Sequence, residues 1–152
     1  MNTMEKDKTF IGVDPGASGA LAILRGSETV TVPFSTEAYV ELLQGLDASR
    51  TFAIVEHVGA MPGQGSVSMF NFGMNFGIIQ GVLSALKIPY ELVRPHKWKK
   101  EFSCTSDKNT SIDVAKRLFP QANFKRTPKC TKDHDGIAEA LLLAEYGRRK
   151  YV

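Results

Sequence analysis

The sequence predicts a mixed α/β domain built on one sheet that begins with an antiparallel hairpin. Short apolar, β-branched runs alternate with segments of helical periodicity, and a tight turn joins the second and third runs. Helices separate the later strands, as parallel pairing requires. A chain of 152 residues with 43% hydrophobic and 23% charged residues can bury a core without staples. We therefore expect a single domain over 1–152, with the polar residues 1–8 frayed.

The strand predictions rest on apolar runs that end at turn signals. The runs are TFIGVD (9–14), GALAIL (19–24), ETVTVPF (28–34), TFAIVE (51–56) and YELV (90–93). The RGS between the second and third runs predicts the hairpin, since a short Gly-containing connection joins antiparallel strands.

The helix predictions rest on capping residues and on apolar residues at helical spacing. Helices are predicted over 35–46, 66–86, 107–120 and 133–150, the third of them stopped by Pro120. Between them the sequence predicts a Gly/Pro loop at 57–66, a basic loop or turn at 94–102 and a basic loop at 123–132.

The second predicted helix carries three glycines on one face. Gly73, Gly77 and Gly81 fall four residues apart. Because a glycine in a helix interior costs roughly 1 kcal/mol relative to alanine, the pattern indicates that another backbone packs closely there. That backbone belongs either to the sheet of this chain or to a second subunit.

Charge and composition narrow the classes of function. Residues 94–152 carry fourteen Lys/Arg and seven Asp/Glu, whereas residues 1–93 carry five and nine. This basic C-terminal part indicates an anionic partner such as nucleic acid, although a solvated basic face would give the same count. Two cysteines, no signal sequence and no long apolar stretch indicate a cytoplasmic protein that does not enter a membrane.

Four carboxylates form the candidate site. Asp14 and Glu56 each end an apolar strand, and Asp135 and Glu139 lie four apart on one face of the last helix. If the first and fourth strands are parallel neighbours, these groups meet at the carboxyl edge of the sheet. Clustered carboxylates need raised pKa values or a hard divalent cation. The set predicts paired Mg²⁺ ions about 4 Å apart, which suit in-line attack of water on a phosphodiester.

Other interpretations exist for single members of this set. Asp14 could be an Asx-turn residue in DPG. Asp133 or Asp135 could cap the last helix, and Glu139 alone could be a solvated helical residue. His134 could assist proton transfer to or from water, or be an exposed histidine. A zinc site at Cys104, Cys130 and His134 is rejected, because the spacing gives no ligand pair.

The chain resembles the RuvC-type Holliday-junction resolvases, which have a ribonuclease H-like fold. The resemblance is carried by FIGVDPGASGALAIL, by AIVE and by DHDGIAEALLLAEYGRR. The middle segment, from VGAMPGQGSVSMF to RPHKWKKEF, resembles the phage and organellar branch of that family. The resemblance spans about Phe10 to Arg149 and implies a mixed five-stranded sheet with an antiparallel first hairpin and flanking helices.

The resemblance implies a homodimer that nicks four-way and branched DNA junctions symmetrically, in a bacterial or phage-infected cell. It implies two Mg²⁺ ions per site, for which Mn²⁺ substitutes, and no nucleotide cofactor. By position, the catalytic and metal-binding acids fall on Asp14, Glu56, Asp135 and Glu139. The bacterial branch has its last two functional residues three apart and ends in Asp, whereas here they are four apart and end in Glu. Asp133, His134 and Asp135 therefore all stay candidates for the first member of that pair.

DNA contacts are predicted from basic side chains and from the start of the long helix. Phosphate contacts are expected from two basic segments, namely Arg94, Lys97, Lys99, Lys100, Lys125, Arg126, Lys129 and Lys132. Trp98 lies within the first segment, and a role as a core anchor is favoured for it. Junction contacts are expected near Met61 and Gln64, with Phe70 or Phe72 stacking on bases, although both phenylalanines could be core residues.

Two other functions can be weighed against a nuclease. A non-catalytic junction-binding module on the same fold gains nothing from carboxylates that face a phosphate. An actin-like kinase also begins with an acidic strand and a glycine turn, but it needs a second lobe for which 152 residues leave no room.

Overall fold

A computed structural model describes residues 8–59 and 63–151. The expected fraying of residues 1–7, and Met61, lie outside the described residues. The strands are β1 (Thr9–Asp14), β2 (Ala20–Arg25), β3 (Glu28–Pro33), β4 (Thr51–Glu56) and β5 (Tyr90–Val93). The helices are α1 (Thr36–Gln44), α2 (Ser66–Ala85), α3 (Pro95–Glu101), α4 (Lys108–Leu118) and α5 (Asp135–Tyr151), with a 3₁₀ turn at Ala48–Arg50.

The five strands form one mixed sheet in the order β3-β2-β1-β4-β5. β1 pairs antiparallel with β2 and parallel with β4, where Val13 lies opposite Val55. β4 in turn pairs parallel with β5, with Glu56 opposite Val93. The predicted hairpin is confirmed, and the condition that the first and fourth strands are parallel neighbours is met. The carboxyl ends of β1 and β4 are therefore neighbours at one edge of the sheet.

Helices cover both faces of the sheet, because successive strand residues point to opposite sides. On one face Phe10 and Ile54 pack with residues of α3, α4 and α5. On the other face Ile11 and Val55 pack with residues of α1 and α2. Nearly continuous hydrophobic runs in the central strands follow from this two-sided burial.

The last helix lies unusually close to the central strand. A Cβ atom at Gly12 of β1 would overlap the carbonyl oxygen of Ala140 and the amide nitrogen of Ala144. A Cβ at Gly147 would in the same way meet the Ile54 side chain at 2.8 Å. The absence of side chains at these glycines lets α5 lie against β1 and β4, which sets the depth at which its acidic side chains reach the sheet edge.

One loop prediction is wrong, because residues 95–101 form helix α3. Pro95 occupies its first turn, where a missing N–H costs nothing and the fixed φ favours a helix. Trp98 and Phe102, four residues apart, are 0% and 5% exposed. Because lysines stand between these two residues, the short amphipathic pattern is hard to see in the sequence. The helix is stabilised by packing of Trp98 and Phe102 in the core.

The glycine face of α2 does not pack on the sheet. Cβ atoms added at Gly73, Gly77 or Gly81 would meet no atom of the described residues within 4 Å outside the adjoining helix backbone. The interpretation that this face contacts the sheet of the same chain is therefore wrong, and the second-subunit interpretation is the one that stays open. Val67 and Phe70 at the start of the helix are 72% and 70% exposed, so the open face is apolar.

Across residues 8–59 and 63–151, none of the helices combines the length and the apolar character needed to cross a bilayer.

Candidate functional site

Three carboxylates meet at the carboxyl edge of the sheet. Asp14 ends β1, Glu56 ends β4, and Glu139 projects from the second turn of α5. One oxygen from each side chain lies within 4.8 Å of the others. Glu56 and Glu139 are only 7% and 8% exposed. Acidic groups from three distant parts of the chain are thus held together in a largely dry pocket.

The local fold explains why each acid points into the pocket. The parallel register of β1 and β4 ends the two strands side by side, so Asp14 and Glu56 are neighbours. Glu139 lies within a stretch of α5, residues 136–144, in which every residue is buried. It is therefore not a solvated helical glutamate, and its carboxylate faces the strand ends.

Burial and mutual repulsion make the charged forms of the three carboxylates unfavourable, and their pKa values are raised as a result. Burial is the largest effect on Glu139, and with the negative charges of Asp14 and Glu56 it raises the pKa of Glu139 to about 9. Burial, followed by the charge of Asp14, raises the pKa of Glu56 to about 7. The pKa of Asp14 is also raised by burial, although hydrogen bonds from Glu139 and from the Gly16 amide oppose the rise. Without a cation, the cluster therefore holds protons that isolated carboxyls would release.

These residues fit a hard divalent cation. Carboxylate oxygens are the ligands that Mg²⁺ and Mn²⁺ prefer. A cation replaces the protons that the raised pKa values retain and removes the repulsion between the three charges. One oxygen of Glu56 also accepts a hydrogen bond from the indole Nε1 of Trp98 at 2.6 Å, while Gly16 N–H lies 3.4 Å from Oδ1 of Asp14.

Asp135 lies outside this triad, at the start of α5. Its carboxylate forms an ion pair with Lys108 of α4, with Nζ 2.9 Å from Oδ2. Burial would raise the pKa of Asp135, but the Lys108 ammonium outweighs it and the pKa is lowered. The charge of Asp135 still contributes to the raised pKa of Asp14, so the two lie in the same electrostatic environment. The structure thus brings together three of the four predicted acids and ties the fourth to a lysine.

The other two candidates at the start of α5 have different surroundings. Asp133 forms ion pairs with Lys116 and with Lys125, the latter at 2.7 Å, and these pairs lower its pKa. The carbonyl of His134 accepts the first helical bond from Ala138 N–H. His134 Nδ1 is buried without a hydrogen-bond partner among the described residues.

Lys108 was not among the residues predicted for the site. A lysine in the first turn of a helix opposes the helix dipole, which favours negative charge there. That unfavourable placement is the signal that could have indicated a nearby acidic partner. The identity of the partner could not follow from it, because Asp135 lies 27 residues further along the chain.

The predicted DNA-contacting residues are mostly accessible. Those with exposed side chains are Gln64, Phe70, Arg94, Lys97, Lys100, Lys129 and Lys132. Lys99 is half-buried, with its ammonium 5.6 Å from the centre of the Trp98 ring.

Three other candidates have partners within the chain. Lys125 pairs with Asp133, and Arg126 donates to the carbonyl of Ala17 at 3.2 Å, close to Asp14. Phe72 is half-buried, and its ring stacks on Phe76 with centroids 6.2 Å apart. Phe70 is therefore the more accessible of the two phenylalanines.

Comparison with known proteins identifies the fold. No family model matches the chain, and no curated protein sequence matches it at a significant level. A structure of T. thermophilus RuvC in complex with Holliday junction substrate is similar, with a TM-score of 0.59 over 95% of this chain and 96% of that chain and 13% identity. A Thermus thermophilus RuvC structure is similar with a TM-score of 0.55 over 93% and 96%, and 15% identity. The chain therefore has the RuvC, ribonuclease H-like fold, which confirms the predicted fold class.

Proposed function

We propose that this protein is a structure-selective endodeoxyribonuclease that cleaves four-way and branched DNA junctions by divalent-metal-dependent hydrolysis. The observation that carries the proposal is the buried triad of Asp14, Glu56 and Glu139 at the sheet edge of a RuvC fold. A structural neighbour of that fold is itself bound to a Holliday junction. From the middle segment of its sequence, between VGAMPGQGSVSMF and RPHKWKKEF, we assign the chain to the phage and organellar branch of these enzymes. We propose that it acts in the cytoplasm.

The triad favours catalysis over binding alone. Buried carboxylates repel a phosphodiester, so a protein that only binds DNA would gain nothing from them. Mg²⁺ or Mn²⁺ held by these oxygens supplies polarisation of the phosphate and a water of lowered pKa. Asp14, Glu56 and Glu139 are its proposed ligands. Asp135 is the proposed additional ligand for a second ion. To bind that ion, its carboxylate must first give up the ion pair with the Lys108 ammonium.

Two basic segments flank the triad and are the proposed phosphate contacts. Helix α3 is close enough for the charge of Lys99 to lower the pKa of Glu56. The loop over 123–132 reaches the site through Arg126, which contacts Ala17 three residues after Asp14. His134, next to Asp135, is the proposed proton carrier. A phosphate backbone bound to both segments would pass over the carboxylates.

The exposed face of α2 is the proposed contact between two copies of the chain. Val67, Phe70 and Met74 are 72%, 70% and 49% exposed, which is unusual for side chains of this size. Open space above Gly77 and Gly81 leaves room for a second helix. A symmetric pair built on this face would present two sites to one junction. Gln64 and Phe70, at the start of α2, would then lie near the junction centre.

A nicking assay on synthetic junctions tests the proposal. With Mg²⁺, the wild-type protein should nick opposing strands of a four-way junction and leave linear duplex intact. A flap substrate is included as a second control. Asp14→Asn, Glu56→Gln and Glu139→Gln should each reduce cleavage by more than about 100-fold, the upper range for loss of an outer-shell partner, while junction binding persists.

Glu145→Gln is the matched control for Glu139→Gln. Glu145 lies on the same helix, pairs with Arg148 and is not part of the triad, so cleavage should be retained. Cleavage that survives Asp14→Asn would contradict the metal site. Tight junction binding with no nicking in either Mg²⁺ or Mn²⁺ would instead identify a non-catalytic binding module.

A further inference from the structure

We propose that Trp98 is a positioning residue of the metal centre, whose indole N–H fixes the carboxylate of Glu56 for the cation. This inference rests on the metal site of the proposed function and assigns to it a residue from a fourth element, α3. Trp98 itself does not touch the reacting groups in this proposal. It acts through Glu56.

The contact is specific in its chemistry. Trp98 Nε1 lies 2.6 Å from Oε2 of Glu56, and both residues are buried, with Trp98 at 0% exposure. An indole N–H is a donor only, so it selects an acceptor oxygen. A carboxylate has about four lone-pair sites, so Glu56 can accept this bond and still ligate a cation. The bond therefore restricts the rotation of Glu56 without using up its capacity as a ligand.

The donor is carried by a rigid part of the fold. The His57 amide, directly after Glu56, donates to the carbonyl of Val93 at 2.8 Å, and α3 begins two residues after Val93. Trp98 and Phe102 then anchor α3 in the core beside α5. An outer-shell donor held by packing in this way is what keeps a metal-ligating carboxylate in its productive orientation.

A purely structural role makes a different prediction. If Trp98 were only a core residue that uses Glu56 to satisfy its N–H, loss of the bond would lower stability and leave metal affinity unchanged. The positioning role predicts weaker metal binding in a protein that is still folded. The measurement must therefore read metal affinity directly, in the absence of DNA and of catalysis.

Two substitutions in the full-length protein separate these roles. The first replaces Trp98 by 3-benzothienylalanine, which keeps the shape of the ring but has sulfur in place of the N–H. The second is Trp98→Phe, and the benzothienyl variant carries the test if this one does not fold. Mn²⁺ affinity is measured by electron paramagnetic resonance of the free ion, and the Mn²⁺ concentration for half-maximal nicking is separated from kcat.

We expect the dissociation constant for Mn²⁺ to rise roughly tenfold in the benzothienyl variant, the lower end of the effect of outer-shell partners. Phe102→Leu is the matched control, because Phe102 is buried in the same cluster and no described bond joins it to an acid. Its Mn²⁺ affinity should stay within about twofold of wild type if core loosening alone does not disturb the site.

Wild-type affinity in the folded benzothienyl variant would overturn the proposal. An equal loss of affinity in Phe102→Leu would overturn it as well, since general loosening would then explain the effect. A wild-type protein that binds no Mn²⁺ would refute both this inference and the metal site. A wild-type protein that binds Mn²⁺ but nicks no junction would refute only the proposed nuclease, and a weaker affinity in the Trp98 variant would still support the positioning role.

Discussion

Glu139 is an energetically costly residue of the site. It is the only charged residue in the buried stretch 136–144 of α5, and its pKa is raised to about 9. A carboxyl in such a position is neutral near pH 7 unless a cation displaces its proton. The position therefore lowers the stability of the metal-free protein wherever Glu139 must ionise. The proposed role in metal binding would account for an acid at this position.

This cost predicts how stability depends on pH. Between the ordinary pKa of 4.5 in the unfolded chain and about 9 in the folded protein, the native state holds a proton on Glu139 that the unfolded chain has released. Glu56 does the same up to about pH 7. Because the native state binds more protons, the free energy of unfolding should fall as pH rises through this window.

Thermal unfolding of the metal-free protein from pH 5 to pH 9 is the measurement. Glu139→Gln should flatten the decline, and saturating Mg²⁺ should restore stability at the alkaline end, since a cation favours the ionised form. A metal-free wild-type protein whose melting temperature is constant or rises over this range would contradict the buried position of Glu139.

Residue types alone predicted part of the site. Asp14 and Glu56 could be found because each carboxylate ends an apolar strand, and Glu139 because its helical position relative to Asp135 is visible in the sequence. The tie between Lys108 and Asp135 could not be found, since it depends on how α4 packs beside α5. The bond from Trp98 to Glu56 was hidden for the same reason, 42 residues separating its partners.

At the scale of elements, the contact between β1 and α5 controls the depth of the site. Gly12 is the closest point, and a methyl group there would overlap the backbone of Ala140, one residue after Glu139. Gly12→Ala should therefore push α5 away from the strand and lower the free energy of unfolding by about 1–3 kcal/mol or more, as overpacking does.

Gly73→Ala gives the opposite expectation and serves as the control. A Cβ at Gly73 meets none of the described atoms within 4 Å outside the adjoining helix backbone, and the substitution removes a glycine from a helix interior. Gly73→Ala should raise the free energy of unfolding by up to about 1 kcal/mol. Urea unfolding measures this value at a protein concentration low enough to dissociate a dimer. A Gly12→Ala protein as stable as wild type would show that β1 and α5 are not packed this closely.

Helix α3 has a side that faces the proposed metal site and a side that faces solvent. Its buried side holds Trp98 against Glu56, and its outer side carries Lys97 and Lys100. The prediction of a loop here failed because a seven-residue helix gives little periodicity, and only tertiary packing shows that Trp98 and Phe102 share a face. The prediction that this segment is basic rests on its composition alone, so it is the same for a loop and for a helix.

Charge reversal tests whether the basic side chains of α3 contact DNA. Lys99→Glu with Lys100→Glu should weaken junction binding and make its dependence on salt concentration less steep by about one unit of slope for each lost phosphate contact. Lys87→Glu is the control, because Lys87 is exposed before β5, at the end of the sheet opposite the triad. Binding with an unchanged slope in the double variant would remove α3 from the DNA surface.

On the scale of the whole molecule, charge and apolar surface are separated. The sequence has a net charge of +3, yet its basic excess lies in residues 94–152, which supply α3, the 123–132 loop and α5. The exposed apolar face lies on α2, on the other side of the sheet from α5. The proposed phosphate contacts and the proposed self-association face therefore lie on different surfaces. Gln64 and Phe70, at the start of α2, are the proposed DNA contacts that lie next to the self-association face.

The α2 face has the spacing of a helix–helix contact. Val67, Phe70, Met74, Gly77 and Gly81 follow one another at alternating intervals of three and four residues, which places them on one stripe. Gly77→Leu should leave the fold of each chain intact, because Gly77 is exposed and a Cβ there meets no described atom within 4 Å outside the adjoining helix backbone. The leucine should nevertheless hold a second helix apart and shift the protein from dimer to monomer in light scattering.

Nicking should change together with the oligomeric state. A monomer presents one triad, so Gly77→Leu should cut one strand of a four-way junction and lose the paired, opposed nicks of the wild type. Asp113→Leu adds a comparable side chain on exposed α4, on the opposite layer, and should stay dimeric with paired nicks. A wild-type protein that is monomeric, or a Gly77→Leu protein that stays dimeric, would contradict the proposal that the α2 face joins two copies of the chain.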